Sequence, residues 1–190
     1  MRLIASATNL LDAETDISRI TVTQVVTKAG LTRPTFYASF DGLPEMFAAA
    51  ALHRLSEAFE GLGVDPNVTP GARSDAMLTA FTAILNRLAT HAEFFSRVLG
   101  GPGGPIVQQR IIGFIADRVR VSSPVSGALA SGRLPVDLAS QAIAAGVVWI
   151  MIRWLDDQPR RPMPEIAAIL RDFVESSVLG GLGGRKGATP

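Results

Sequence analysis

Residues 21–47 read TVTQVVTKAGLTRPTFYASFDGLPEMF, and the fold is decided in this stretch. Val22, Val25, Val26 and Ala29 recur at spacings of three and four, which predicts a short helix with one buried face ending at Ala29. Gly30 closes it, because a residue without Cβ takes up the left-handed conformation that reverses a chain within a residue or two. Thr32 is placed to cap a second short helix, with Pro34 in its first turn, where a missing N–H costs nothing. Two short helices across a tight glycine turn form a helix-turn-helix, whose second helix can offer its N-terminal side chains to the DNA major groove. Here those side chains are Thr32, Arg33, Thr35 and Phe36. An arginine can pair bidentately with a guanine edge, and a threonine can donate to base or phosphate and touch a thymine methyl. Phe36 and Phe40 are expected to pin the helix to its domain, with the Tyr37 hydroxyl reaching a phosphate oxygen. Thr21 or Thr23 is expected to cap the preceding helix, and a threonine there can also touch phosphate.

The run VTQVVTKAGLTRPTFYASF, followed by an acidic helix opening at Pro44-Glu45-Met46, resembles the DNA-binding domain of the TetR family of bacterial transcriptional regulators. The family's turn glycine falls on Gly30, its recognition helix on Thr32 to Ala38, its tyrosine on Tyr37 and its aromatic before the next helix on Phe40. Leu43 stands where family members commonly carry a lysine that meets phosphate. The resemblance implies an all-α chain, with an N-terminal three-helix helix-turn-helix domain over residues 1–43 and a larger C-terminal helical domain over 44–179 for effector binding and dimerisation. It further implies double-stranded DNA as a partner, a homodimer made through the last two long helices, and an effector pocket in the larger domain.

Outward from this stretch, Leu3, Ile4, Ala7, Leu10 and Leu11 predict a first helix over 2–14, and Thr15 to Arg19 read as a polar connection. A helix over 44–60 links the two domains, and the Gly- and Pro-dense residues 61–71 form a loop. Helices follow over 72–90 and 92–99. The breaker GGPGGP at 100–105 reads as a mobile loop at a pocket mouth, without the Gly-Lys-Ser/Thr arrangement of a phosphate-binding loop. Further helices are expected over 106–121, to about 131, over 136–157 and over 164–179, and residues 180–190 should be a disordered tail. Ala142, Ala145, Gly146, Trp149 and Arg153 lie on the first of the two late long helices, and Ile166, Ile169, Leu170 and Phe173 on the second. These residues suit a four-helix bundle built from two subunits, or they complete an intramolecular core.

Composition narrows the functional classes. Hydrophobic residues make up 47% and charged ones 18%, apolar enough that a partner chain or a ligand is expected to cover part of the surface. Cysteine is absent, which excludes disulfides and thiol chemistry and leaves the cytoplasm as the default location. His53 and His91 sit in no zinc-binding spacing, and no GxSxG occurs, so neither a metal, a cofactor nor catalysis is expected. The longest apolar run, Ala142 to Ile152, falls short of the roughly 20 residues of a bilayer span, so no membrane partner is expected. The net charge is +1, and in residues 1–54 Arg2, Arg19, Lys28, Arg33 and Arg54 cancel Asp12, Glu14, Asp16, Asp41 and Glu45. Such a domain should bind DNA weakly as a monomer, and dimerisation would double its contacts.

Met77, Phe81, Leu85, Phe94, Phe95, Phe114 and Trp149 are spread over separate helices and can surround an aromatic-lined cavity, with His91, Gln108 and Arg118 to orient a small apolar effector. The same set also reads as ordinary core. The expected function is that of a ligand-responsive repressor, binding a palindromic operator as a homodimer. The alternatives are a small-molecule-binding or adaptor protein of the same fold with weak or no DNA binding, and a helical enzyme supported only by the aromatic set.

Overall fold

The computed structural model describes residues 1–62 and 69–178. The expected tail at 180–190 lies outside the described residues, as does the middle of the loop expected at 61–71. Among the described residues every regular element is helical: α1 (Arg2–Ala13), a 3-10 turn (Ile17–Arg19), α2 (Val22–Ala29), α3 (Arg33–Tyr37), α4 (Leu43–Phe59), α5 (Pro70–Ala89), α6 (Ala92–Gly100), α7 (Gly104–Ser122), α8 (Ser126–Ala130), α9 (Val136–Asp156) and α10 (Met163–Ser177). The all-α expectation holds, and the helix ends fall within a few residues of those read from glycine, proline and capping signals. The 3-10 turn occupies the expected polar connection. There the Asp16 carboxylate accepts from the Ser18 hydroxyl at 2.6 Å and the Ser18 amide at 3.1 Å. These two bonds, then the nearby Arg19, hold its pKa below 3.8.

The chain divides into two compact units, one made of Met1–Ala58 with Thr90–Ile111, the other of Phe59–Ala89 with the residues from Ile112 onward. This division does not coincide with one at 43/44, because α4 stays with the helix-turn-helix nearly to its end and α6 joins it with the start of α7. Several long-range polar contacts lie within the first unit and join these segments. The Arg97 guanidinium, on α6, donates to the carbonyl oxygens of Leu11 at 3.0 Å and Glu14 at 2.7 Å, satisfying acceptors that the end of α1 leaves open. Arg54, on α4, forms a two-pronged pair with Asp12 of α1, and its guanidinium lies 4.2 Å from the centroid of the Phe94 ring on α6. Arg110, on α7, meets both carboxylate oxygens of Glu45 at 3.0 Å.

The glycine-rich breaker belongs to this first unit and differs from the expected mobile loop. The helices α6 and α7 consume its ends, leaving only residues 101–103 as a link. Gly103 and Gly104 are buried, and a Cβ on Gly103 would come within 2.9 Å of Pro44 Cβ. It is a tight turn packed against the start of α4, where small residues are needed for close approach.

In the second unit α10 packs chiefly on α5 and also on α9, and α8 packs on α9. Met77, Leu85, Ile143, Val148, Trp154, Ile166, Leu170 and Val174 are buried there. Fully burying a side chain of this size contributes about 1.5–3 kcal/mol. The apolar run Ala142 to Ile152 proves to be part of a helix of 21 residues, with mean hydropathy 1.5 over an 18-residue window. By length and composition α9 therefore meets the requirement for a bilayer span, which a count of uninterrupted apolar residues understates because Gln141 and Arg153 interrupt it. Only 44% of that window is buried, and the remainder includes Trp149.

Gly146 is the contact point between α9 and α10. A Cβ there would fall 2.7 Å from Phe173 Cε1 and nearer still to Cζ, so the bare backbone is what seats the ring. Gly146→Ala should lower stability by about 1–2 kcal/mol as the ring is displaced. Gly113→Ala, at an exposed position of α7 where an added Cβ meets nothing within 4 Å, should raise it by about 0.5–1 kcal/mol through helix propensity. Urea denaturation midpoints of the two variants check the pair, and a gain from both would show that Gly146 has no packing role.

Candidate nucleic-acid interface

The geometry of the α2–α3 segment follows from three local devices. At the start of α2, Thr21 Oγ1 accepts from the Gln24 amide at 3.2 Å while Gln24 Oε1 accepts from the Thr21 amide at 2.7 Å, a reciprocal capping box. Thr21, not Thr23, is thus the cap. At the end of α2, Gly30 sits at φ 62 and ψ 40. There the Leu31 amide donates to Val26 O at 2.9 Å and the Gly30 amide to Thr27 O at 3.1 Å, the paired closure of a left-handed helix end. At the start of α3, Thr32 Oγ1 accepts from the Thr35 amide at 3.4 Å, and the two hydroxyls lie 3.0 Å apart.

The five residues of α3 then divide into an inner and an outer side. Phe36 is fully buried, its ring meeting Tyr37 edge-on at 5.2 Å and Phe40 at 5.7 Å. The expectation that Phe36 is offered to a base edge is corrected: it anchors α3 from beneath, since a phenyl ring gains far more from burial than from a groove. Thr32, Arg33, Thr35 and Tyr37 face solvent, Tyr37 with 58% of its surface exposed. Thr21 and Thr23 are exposed on the first turn of α2. Arg33 is not splayed out, because its Nη2 donates to Thr23 Oγ1 at 2.6 Å across the turn. The first turn of α4 carries Glu45, which favours the positive end of a helix and is already paired with Arg110.

The supports from Arg54, Arg97 and Arg110 were missed in the sequence, and no local signal could have supplied them. Gln24 was also missed, although the T-x-x-Q spacing of a capping box was present at 21–24.

The expected effector set is divided between the units. Phe94 and Phe95 are core of the first unit, 2% and 5% exposed, with ring centroids 5.3 Å apart. His91 precedes α6 in the same unit. Met77, Phe81, Leu85, Phe114 and Trp149 belong to the second unit. Met77 and Leu85 are buried, and Phe114 meets Phe59 edge-on at 5.6 Å with the Arg118 guanidinium 5.0 Å from its ring. Trp149 is 62% exposed, so its expected place in a cavity wall of this chain is corrected. A cleft of about 410 Å³ lies beside α3, between the start of α1 and Thr35, Ser39 and Phe40, and none of the expected effector residues lines it.

The expected interface residues also separate. Ala142, Trp149 and Arg153 are exposed on α9, with Leu138 one turn before them at 55%. Ala145, Gly146, Ile169 and Phe173 are half-buried. Ile166 and Leu170 are 3% and 1% exposed and fill the chain's own core, so both are removed from the expected interface.

No protein-family model matches the chain, and no curated protein sequence matches it. Solved structures do. A protein from Syntrophomonas wolfei assigned to the TetR family superposes with a TM-score of 0.57 at 11% identity, covering 94% of each chain. The TetR-family repressor AlkX from Dietzia sp. strain DQ12-45-1b, implicated in the biodegradation of n-alkanes, gives 0.54 at 16% identity, covering 95% of this chain and 97% of its own. A TetR-family regulator from Streptomyces coelicolor gives 0.51 at 19% identity, covering 94% and 81%. At such identities the likeness is one of fold. The fold of this chain is that of the TetR-family transcriptional regulators.

Proposed function

We propose that the chain is a DNA-binding transcriptional regulator of the TetR family that works as a homodimer, most simply a repressor, with α3 of each copy set into a major groove. The observation that carries this reading is the outer side of α3. Thr32, Arg33, Thr35 and Tyr37 face solvent together, immediately beyond the left-handed Gly30, on a helix held from beneath by Phe36. These side chains can hydrogen-bond to base edges and phosphates, and a two-fold pair of them calls for a palindromic operator. Thr21 and Thr23 lie on the same exposed segment and supply further phosphate donors.

The exposed row Leu138, Ala142, Trp149 and Arg153 on α9 supports the dimer. An apolar stripe that carries an exposed tryptophan and ends in an arginine has the composition of an interface core. A small apolar effector bound in the helices beyond α4 would act by preferring a dimer whose recognition helices no longer match the two half-sites. Acting on DNA in a bacterial cell, the protein would work in the cytoplasm, without metal, cofactor or catalysis.

A second reading, a protein of this fold with weak or no DNA binding, draws on the cancelling charges of residues 1–54 and on Leu43 in place of a basic side chain. Gel shift with duplexes selected from a random pool, titrated with salt, separates the two. Arg33→Ala should relax preference at one base pair by about 1–3 kcal/mol, whereas Tyr37→Phe should weaken all duplexes alike. Absence of any shifted duplex at low salt would favour the second reading. For the dimer, Trp149→Glu should turn a two-chain species into a single chain in sedimentation, since a central tryptophan is worth about 2 kcal/mol or more at an interface. A wild-type protein that already sediments as one chain would overturn the dimer.

A further inference from the structure

We infer that Thr23 is a positioning residue for Arg33, so that the base discriminated by α3 is set jointly by two helices. The inference rests on the reading of α3 as the DNA-facing helix and adds to it a device that orients the reading side chain.

The hydroxyl of Thr23 has no part in building α2. Thr21 performs the capping, with Gln24 as its reciprocal partner, and Thr23 is exposed one residue inside the helix. Thr23 Oγ1 instead accepts the hydrogen bond from Arg33 Nη2 at 2.6 Å, which spans ten residues of chain and bridges the turn. A β-branched side chain in a helix has few rotamers, so its oxygen is a stiff post. An arginine held on such a post has less rotamer freedom to lose on docking, and the fork of donors it keeps points in a narrower range of directions.

The chemistry of the post also matters. Thr23 is neutral, so the guanidinium gives up one of its several N–H donors and none of its charge. A carboxylate in the same place would hold the arginine as firmly and cancel its attraction for phosphate and for guanine acceptors. While Thr23 Oγ1 accepts from Arg33, its own proton remains available for a phosphate oxygen. One hydroxyl can therefore tie the reading side chain to the DNA backbone through two linked hydrogen bonds.

The test uses the full chain and duplexes selected from a random pool on the wild-type protein. For wild type, Thr23→Val, Thr23→Ser, Arg33→Ala and the double variant Thr23→Val/Arg33→Ala, the affinity ratio is measured between the preferred duplex and duplexes altered at one base pair. Thr23→Val removes the oxygen and keeps the shape. It should reduce discrimination about fivefold or more at the base pair that Arg33→Ala identifies, and leave other positions unchanged. Thr23→Ser should restore most of it. In the Arg33→Ala background Thr23→Val should cause no further loss at that base pair. A uniform loss of affinity at every position, with discrimination intact, would mean that Thr23 only meets phosphate and would overturn the inference. Sharper discrimination in Thr23→Val would overturn it too, because the bond would then be restraining Arg33 from the base. If wild type selects no duplex at all, the DNA-binding reading fails before the positioning role is reached. Circular dichroism of each variant separates these outcomes from unfolding, which an exposed position should not cause.

Discussion

A single left-handed residue fixes the relation of α2 to α3. Gly30 allows the Leu31 amide to turn back to Val26 and the Gly30 amide to Thr27, so α2 ends with its carbonyls satisfied and the chain is released in a new direction. Thr32 takes over two residues later as the next cap. With no slack between the helices, Arg33 emerges within reach of Thr23, and Phe36 drops into the core. A longer or looser connection would preserve both helices and lose their register.

The helices around that register are joined by residues distant in the chain. Arg97 closes the end of α1, Arg54 ties α1 to α4 above the Phe94 ring, and Arg110 ties α7 to the first turn of α4. Three arginines do the joining where apolar contacts alone would allow sliding, because hydrogen bonds to carbonyls and carboxylates are directional. The exposed ones contribute little to overall stability. Their effect is on geometry.

What could be read from the sequence was what neighbours decide. The end of α2, the cap at Thr32, the helix after Pro44 and the tyrosine on the outer side of α3 all depend on residues within a turn or two. For Phe36 the sequence offered both a groove-facing and a core-anchoring role, because five helical residues give too little periodicity to choose between them, and its burial agrees with the anchor. The extent of the first unit was not legible, since the bonds from Arg97 span 86 and 83 residues. On α10 a stripe of Ile166, Ile169, Leu170 and Phe173 announced one buried side without saying what it would be buried against. Ile166 and Leu170 turned inward while Ile169 and Phe173 stayed partly open. Of the aromatic set, Trp149 lies on the exposed side of α9, because hydrophobic size predicts burial without saying whether the chain itself or a partner supplies it.

The first unit is discontinuous in sequence, returning at Thr90 after an excursion of thirty-odd residues. It is therefore not a cassette. A chimera that transplanted residues 1–58 alone onto a foreign helical core would strip α1 of its arginine clasp and Arg54 of the ring beneath it. Exchange by recombination has to carry the segment around α6 as well, so the exchangeable piece is set by contacts and not by contiguity of chain.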